Sequence, residues 1–295
     1  MTWQLTITGL MIGALVGLTG MGGGSLMTPI LILAFGFKPT LAVGTDILHG
    51  AVFKTFGAVR HRRLGTVHAR ITFWMFLGSA PMSLLGVEVA DWLERSYGSG
   101  VESVSAKVIG GALVLGGLGF LAKTFVKRGV QPSDAPFLLA DRDRVVCVAL
   151  GASGGFIVGL TSVGSGTFFG LVMLLFFPLT AAKIVGTDIF HAAALLWVAG
   201  ISHLLHGNVD LGAMAWLLLG SVPGVLAGSK LTVRLPDGAL RVGLGAVLLA
   251  SGVRLLEVPG YELLVPVILF LGAGFAVVTE IRRLNGRAAP VLGKQ

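Results

Sequence analysis

Two short segments of the chain combine an acid and a histidine at the same spacing. Gly44-Thr45-Asp46-x-x-His49 recurs as Gly186-Thr187-Asp188-x-x-His191. A separation of three residues places the carboxylate and the imidazole on one helical face about a turn apart, so they can share a hydrogen bond or a proton. Alternatively, Thr and Asp cap the start of a helix and the His fills the next turn. Because ionisable groups are costly in apolar stretches, six residues are candidates for substrate or proton handling: Thr45, Asp46, His49, Thr187, Asp188 and His191.

A second pair of matched segments is rich in glycine. Gly20-Met21-Gly22-Gly23-Gly24-Ser25 is echoed by Ser162-Val163-Gly164-Ser165-Gly166-Thr167, and an apolar block too short to cross a membrane follows each. Glycine lets the backbone bend and lets a ligand approach it, and the amides at a helix start attract anions. Tight helix packing in lipid is the alternative explanation. The segments predict broken half helices that line a substrate site, with these candidates: Gly22, Gly23, Gly24, Ser25, Gly164, Ser165, Gly166 and Thr167.

Lys54 lies two turns after Asp46 on a similar helical face, and Leu196 takes its place in the second segment. A lysine here could attract an anion or neutralise Asp46. Its nearness to Arg60 instead favours a side chain that extends its ammonium to the membrane surface. We therefore expect Lys54 to reach the surface.

The composition is that of a membrane protein. Of 295 residues, 54% are hydrophobic and 12% are charged, against about 25% charged in soluble domains. The net charge is +8, and the Lys and Arg residues lie largely between apolar blocks. This distribution fits contact with lipid head groups, so we expect no nucleic acid partner. Cys147 is the only cysteine, so the sequence predicts no disulfide, no cysteine metal cluster and no cofactor.

Apolar blocks recur along the chain and divide it into four parts. We predict a first transmembrane repeat over 1–128 and a cytoplasmic linker over 129–144, which holds Pro132 and Pro136. A second transmembrane repeat follows over 145–257, and 258–295 forms a final transmembrane helix with a basic cytoplasmic tail. Blocks of about 20 apolar residues are long enough to cross a bilayer as helices.

The two repeats match residue by residue at a shift of 142 positions. Besides the segments above, His61 matches His203, and Gly78-Ser79-x-Pro81 matches Gly220-Ser221-x-Pro223. Agreement of glycine and polar positions over some seventy residues indicates an internal repeat, which is a frequent feature of transporters.

Charge indicates that the repeats have opposite orientations. The segment after the apolar block over 43–59 carries four arginines, Arg60, Arg62, Arg63 and Arg70, whereas uncharged residues occupy the matched positions in the second copy. By the positive-inside rule these loops lie on opposite faces of the membrane. The predicted fold is an all-α integral membrane protein with two inverted-topology repeats and short, Gly-broken half helices.

These residues and their twofold order resemble the TauE/SafE sulfite exporter-like family of membrane permeases. The resemblance rests on Gly20 to Gly24, on Gly44 to Asp46 and on their echoes at Gly164 to Gly166 and Gly186 to Asp188. It implies a multi-pass permease of the cell inner membrane that moves sulfite or a related organosulfonate with protons. The expected partners are a small anion and the lipid bilayer. The sequence does not decide whether the chain forms a homo-oligomer.

The sequence argues against an enzyme but is compatible with two alternatives to a permease. The chain lacks His-Glu-x-x-His and Gly-x-Ser-x-Gly, the signatures of zinc proteases and serine hydrolases, so we expect no enzyme. A passive anion channel or a non-transporting membrane assembly subunit could have the same order of apolar blocks. The sequence leaves those two alternatives open.

Overall fold

The computed structural model describes residues 2–19, 24–97, 101–125, 138–164, 166, 168–231 and 237–288. Throughout these residues the regular structure is α-helical, which confirms the predicted all-α class. The helices are α1 (Thr2–Thr19), α2 (Gly24–Phe35), α3 (Pro39–Arg63), α4 (Ala69–Tyr97), α5 (Val101–Phe125), α6 (Asp141–Thr161), α7 (Phe168–Phe176), α8 (Ala181–Leu205), α9 (Leu211–Leu231), α10 (Asp237–Leu255) and α11 (Tyr261–Ala288).

Three helices are long and apolar enough to cross a membrane: those over Ala69–Ser96, Asp141–Thr161 and Ala182–Leu205. Several shorter apolar helices accompany them. Large apolar side chains such as Phe56, Leu115 and Phe270 are mostly exposed on the outside of the bundle. Contiguous apolar surface of this kind suits a lipid solvent.

Two of the short helices follow the glycine-rich segments. α2 has 12 residues and α7 has 9, so at 1.5 Å per residue they extend about 18 and 14 Å. Both fall short of the ~30 Å hydrocarbon layer. The short elements therefore occur where the sequence predicts half helices.

Glycines bring the two copies of the repeat into close contact. A Cβ on Gly9 of α1 would overlap the backbone of Leu217 in α9, and one on Gly151 of α6 would overlap Met75 in α4. These two contacts match each other at the 142-residue shift. Small residues at such crossings let helix backbones approach closely in lipid.

The helices α3 and α8 are matched elements that pack on each other, and they run antiparallel. Gly50 faces Leu196, and seven residues further along α3 Gly57 faces Ile189. Residue numbers therefore increase along α3 in the direction in which they decrease along α8. The helices α5 and α10, which follow the aligned region in each copy, are also antiparallel, with Gly110 against Gly252 and Gly117 against Gly245. α11 packs on α10, at the edge of the bundle.

Candidate functional site

The two acid-histidine segments come together at the centre of the molecule, on α3 and α8. All six of their candidate side chains are buried: Thr45, Asp46, His49, Thr187, Asp188 and His191. None of them caps its own helix, because α3 begins at Pro39 and α8 begins at Ala181. The capping interpretation of these segments is therefore wrong, since the acids lie in the second turn or beyond.

The two threonines instead hold helix starts that belong to the other copy. The amide of Asp210, just before α9, donates to Thr45 Oγ1 at 2.9 Å. The amide of His68, just before α4, donates to Thr187 Oγ1 at the same distance. Asp210 and His68 are themselves matched positions. The threonines thus fix each repeat against its counterpart.

Each histidine is paired with a serine of the other copy. His49 Nε2 lies 2.8 Å from Ser221 Oγ, and His191 Nε2 lies 2.9 Å from Ser79 Oγ. The Nδ1 atoms of both rings are buried and have no hydrogen-bond partner in the part of the chain that the structure describes. Buried polar atoms are nearly always bonded to protein, water or ligand, so these two atoms are exceptions among the described residues.

Asp46 joins three segments of the fold. Its Oδ2 accepts hydrogen bonds from Thr28 Oγ1 of α2 at 2.6 Å and from Ser162 Oγ, after α6, at 2.8 Å. Ser162 holds a left-handed backbone with φ of 62°, a conformation that costs energy in a residue other than glycine. The second oxygen, Oδ1, is buried and has no partner within the described residues. This oxygen therefore lacks the hydrogen bond that a buried carboxylate oxygen normally makes.

Lys54 is buried at this centre, so the expectation that it reaches the surface is wrong. Only 3% of Lys54 is exposed, and Asp46 and Asp188 of the same centre are buried as well. A buried cation is stabilised by nearby negative charge in place of the solvation that the membrane surface would have supplied. The matched Leu196 is a buried apolar residue, so the cation comes from one repeat alone.

The glycine-rich candidates are described only in part. Gly22, Gly23, Ser165 and Thr167 lie outside the described residues, while Gly24 and Ser25 form the first residues of α2. Gly164 and Gly166 have φ of 111° and 138°, a region that side chains rarely adopt. Glycine is needed at both positions because the chain turns there from α6 into α7. Their role in binding stays a prediction.

Several polar residues of this centre were not singled out from the sequence. Thr28 and Ser162 contact Asp46, Ser79 and Ser221 contact the histidines, and His203 Nε2 donates to the carbonyl of Gly159 at 2.9 Å. The matched Gly-Ser-x-Pro segments could have drawn attention to the two serines. Within the described residues there is no group of three or more His, Cys, Asp or Glu side chains that could hold a metal ion.

The family model described as sulfite exporter TauE/SafE matches residues 5–255. The chain belongs to this family. The match spans both copies of the repeat and ends at the last residue of α10. Membership confirms the family resemblance that the glycine-rich and Gly-Thr-Asp segments carried.

Three relatives of this TauE/SafE family member come from Bacillus subtilis (strain 168). Probable membrane transporter protein YjnA is 37% identical over 256 residues, which are 87% of this chain and 100% of the relative. Probable membrane transporter protein YdhB is 24% identical over 83% of this chain and 96% of its own length, and YunE, of the same description, is 25% identical over 77% and 85%. No solved structure matches the chain significantly.

Proposed function

We propose that the chain is a secondary permease of the cell inner membrane that carries a small anion, sulfite or a related organosulfonate, together with protons. Membership in a family described by sulfite export supports the substrate class, and three relatives named as probable membrane transporters support the activity. The observation that carries the proposal is the buried centre, where Asp46, Asp188 and Lys54 lie between the two repeats. Ionisable groups are retained inside a membrane protein chiefly for function.

The proposal includes an inverted arrangement of the two repeats. Matched helices α3 and α8 are antiparallel, as are α5 and α10. A two-fold axis along the membrane normal would leave matched partners parallel, whereas an axis in the membrane plane makes them antiparallel. The unequal charge of the matched loops, with Arg60, Arg62 and Arg63 in the first copy only, supports the same arrangement.

Substrate would bind where the repeats meet, between α3, α8 and the breaks before α2 and α7. Permeases with inverted repeats place substrate at this level, with freed amides of broken helices facing anionic groups. The unpartnered atoms Asp46 Oδ1, His49 Nδ1 and His191 Nδ1 are all directed into buried surroundings. They supply acceptors or donors for a bound ion and for a proton.

A carrier suits the structure better than a passive channel or a non-transporting subunit. The acids, the lysine and the histidines are each at most 5% exposed, so the centre is closed to solvent in this conformation. Ions would reach it only after the helices move, which is the behaviour of alternating access. A conducting channel would need a continuous polar path through the same region.

Flux into liposomes tests this function. The purified full chain, reconstituted with sulfite or a small alkanesulfonate outside, should accumulate the anion faster than protein-free liposomes do. An imposed pH gradient should change the initial rate several-fold. Equal flux with and without protein would contradict anion transport, and flux that ignores the pH gradient would contradict proton coupling.

A further inference from the structure

A groove of about 620 Å³ lies between α3 and α8, towards the end of the pair where α3 finishes. Two arginines of the last turn of α3, Arg62 and Arg63, line it together with Thr55. The rest of its described lining is apolar and includes Phe190 and Trp197 of α8. None of the six acid and histidine candidates lines this groove, so it is separate from the buried centre.

The groove opens on the outside of the bundle, where lipid surrounds the chain. Val59 and Trp197 line it and are exposed, and Phe56, one turn before Val59 on α3, is exposed as well. Trp197 Nε1 donates a hydrogen bond to Thr55 Oγ1 at 2.9 Å, which holds the indole across the two helices. Apolar surface of this kind suits contact with an acyl chain.

Positive charge is concentrated at one end of the groove. The guanidinium of Arg62 lies 5.6 Å from the centroid of the Phe190 ring. Such stacking leaves the edge of the guanidinium able to bind phosphate oxygens in pairs. Lys183 lies two helical turns before Phe190 on the same face of α8, and therefore at the arginine end of the groove.

The two helices carry cations but no acid towards this end. No Asp or Glu follows Asp46 in α3, and none precedes Asp188 in α8. In the second copy the positions that match Arg62 and Arg63 are Leu204 and Leu205. By the positive-inside rule the arginine end belongs on the cytoplasmic side, where anionic lipids give the membrane surface its negative potential.

The length of the groove fits the upper part of one lipid. From Thr55 to Arg63 it follows about 12 Å of helix, which is comparable with half of the ~30 Å hydrocarbon layer. A head group at Arg62 and Arg63 therefore places the first carbons of an acyl chain beside Val59 and Trp197. A two-fold contact between copies of the chain would instead bring the arginines of both copies near one another, which charge repulsion opposes.

We propose that this groove binds an anionic phospholipid from the cytoplasmic leaflet. Arg62 and Arg63 bind its phosphate, and the upper part of one acyl chain packs against Phe190 and Trp197. Because α3 belongs to the first repeat and α8 to the second, the bound lipid contacts both repeats at once. The site is independent of the anion that the chain carries.

Melting of the purified full chain in detergent, titrated with dioleoylphosphatidylglycerol, measures this binding. Dioleoylphosphatidylcholine has the same acyl chains without net charge, and glycerol phosphate has a phosphate without acyl chains. We expect the anionic lipid to raise the melting temperature most, the zwitterionic lipid to raise it less, and glycerol phosphate to leave it unchanged. Equal shifts with the two lipids would overturn the role of charge. A shift with glycerol phosphate as large as that with the anionic lipid would overturn the role of the apolar groove.

Two pairs of arginine substitutions locate the head group. Arg62→Gln combined with Arg63→Gln should weaken binding of the anionic lipid at least about tenfold. Both side chains are exposed, so this variant should melt like the wild type without lipid. Arg60→Gln combined with Arg70→Gln removes the same charge at exposed positions outside the groove and should weaken binding much less. Equal weakening by the two pairs would mean that diffuse charge attracts the lipid, and would overturn the site.

A substitution in the groove tests the position of the acyl chain. Ala194 of α8 lines the groove and is half-buried, so Ala194→Phe places a ring where we place the chain and should weaken binding of both lipids. Ala194→Ser keeps the volume small and is the control. Normal binding by Ala194→Phe would overturn the placement. A lipid-free dimer that becomes monomeric in the Arg62→Gln, Arg63→Gln variant, with no melting shift on adding lipid, would show that a second copy occupies the groove and would overturn the proposal.

Discussion

The two matched acids, Asp46 and Asp188, hold the same position in the repeat but have different surroundings. Asp46 is held by two hydroxyl groups, one from the half helix α2 and one from the segment between α6 and α7. Gly170 and Gly20 stand at the positions that match these two hydroxyl residues, and Leu196 stands at the position that matches Lys54. The threonine and histidine contacts of the two copies are, in contrast, nearly identical in partner and distance.

The contacts that the two copies share and the charges in which they differ have separate roles in the duplicated structure. The Thr and His contacts have the same geometry in both copies and hold α3 and α8 against helices of the opposite copy. Each of these contacts therefore occurs twice, once in each copy. Charge is distributed unequally, because Leu196 stands in the second copy at the position that matches Lys54. Two matched segments can therefore differ in charge while the contacts that hold them stay alike.

The largest expected contrast concerns the sides of the membrane on which matched loops lie. In a Cys147→Ser background, a cysteine at Arg62 should be shielded from an impermeant thiol reagent added outside intact cells, and one at Leu204 should be labelled. Both native side chains are exposed, so access within the fold does not limit either reaction. Labelling of both positions from the same side would contradict the inverted arrangement.

Asparagine substitutions of the two acids form the next test. Asp188→Asn and Asp46→Asn should each nearly abolish anion uptake, because each removes a charge from the centre. Their stabilities should differ. Asn at position 46 still accepts from Thr28 and Ser162 and should cost about 1 kcal/mol. Asp188→Asn removes a buried negative charge from a centre that contains the buried Lys54, so it should cost more.

Melting of both asparagine variants in detergent, measured beside the wild type, checks this contrast. Equal loss of stability in the two variants would mean that the acids have equivalent surroundings. Normal uptake with normal pH dependence in both would mean that the carboxylates are structural and that the substrate is held elsewhere in the site.

The sequence predicted the helical class, the family and the short elements after the glycine-rich segments, because these depend on apolar length and on matched local patterns. It could not place Lys54. Position 54 lies near an arginine-rich helix end, and only the crossing of α3 and α8 shows that its side chain is buried beside acids of both copies. Contacts between residues more than a hundred positions apart leave no local pattern.

The capping interpretation of Thr45 failed for a related reason. Thr, Asp and Asn favour helix starts in general, but α3 begins six residues earlier, at Pro39. The threonine does bind a backbone amide at a helix start, although that helix is α9 of the other copy. The residue type predicted the kind of contact correctly, whereas its partner depended on tertiary structure.

The smallest expected effect concerns the two serines that contact the buried histidines, and here the two copies should lose similar stability. Ser79→Ala and Ser221→Ala each remove the hydroxyl that faces a buried histidine Nε2, so each should lower stability by about 1–3 kcal/mol, the cost of an unpaired buried polar group. Because the two contacts differ by only 0.1 Å in length, the two variants should melt within a few degrees of each other.

Ser153→Ala, whose hydroxyl is exposed on α6 and bonds to carbonyls of its own helix, is the matched control and should melt like the wild type. A large difference between the two serine variants would mean that the asymmetry of charge extends to the histidines, and that His49 and His191 do not share one structural role.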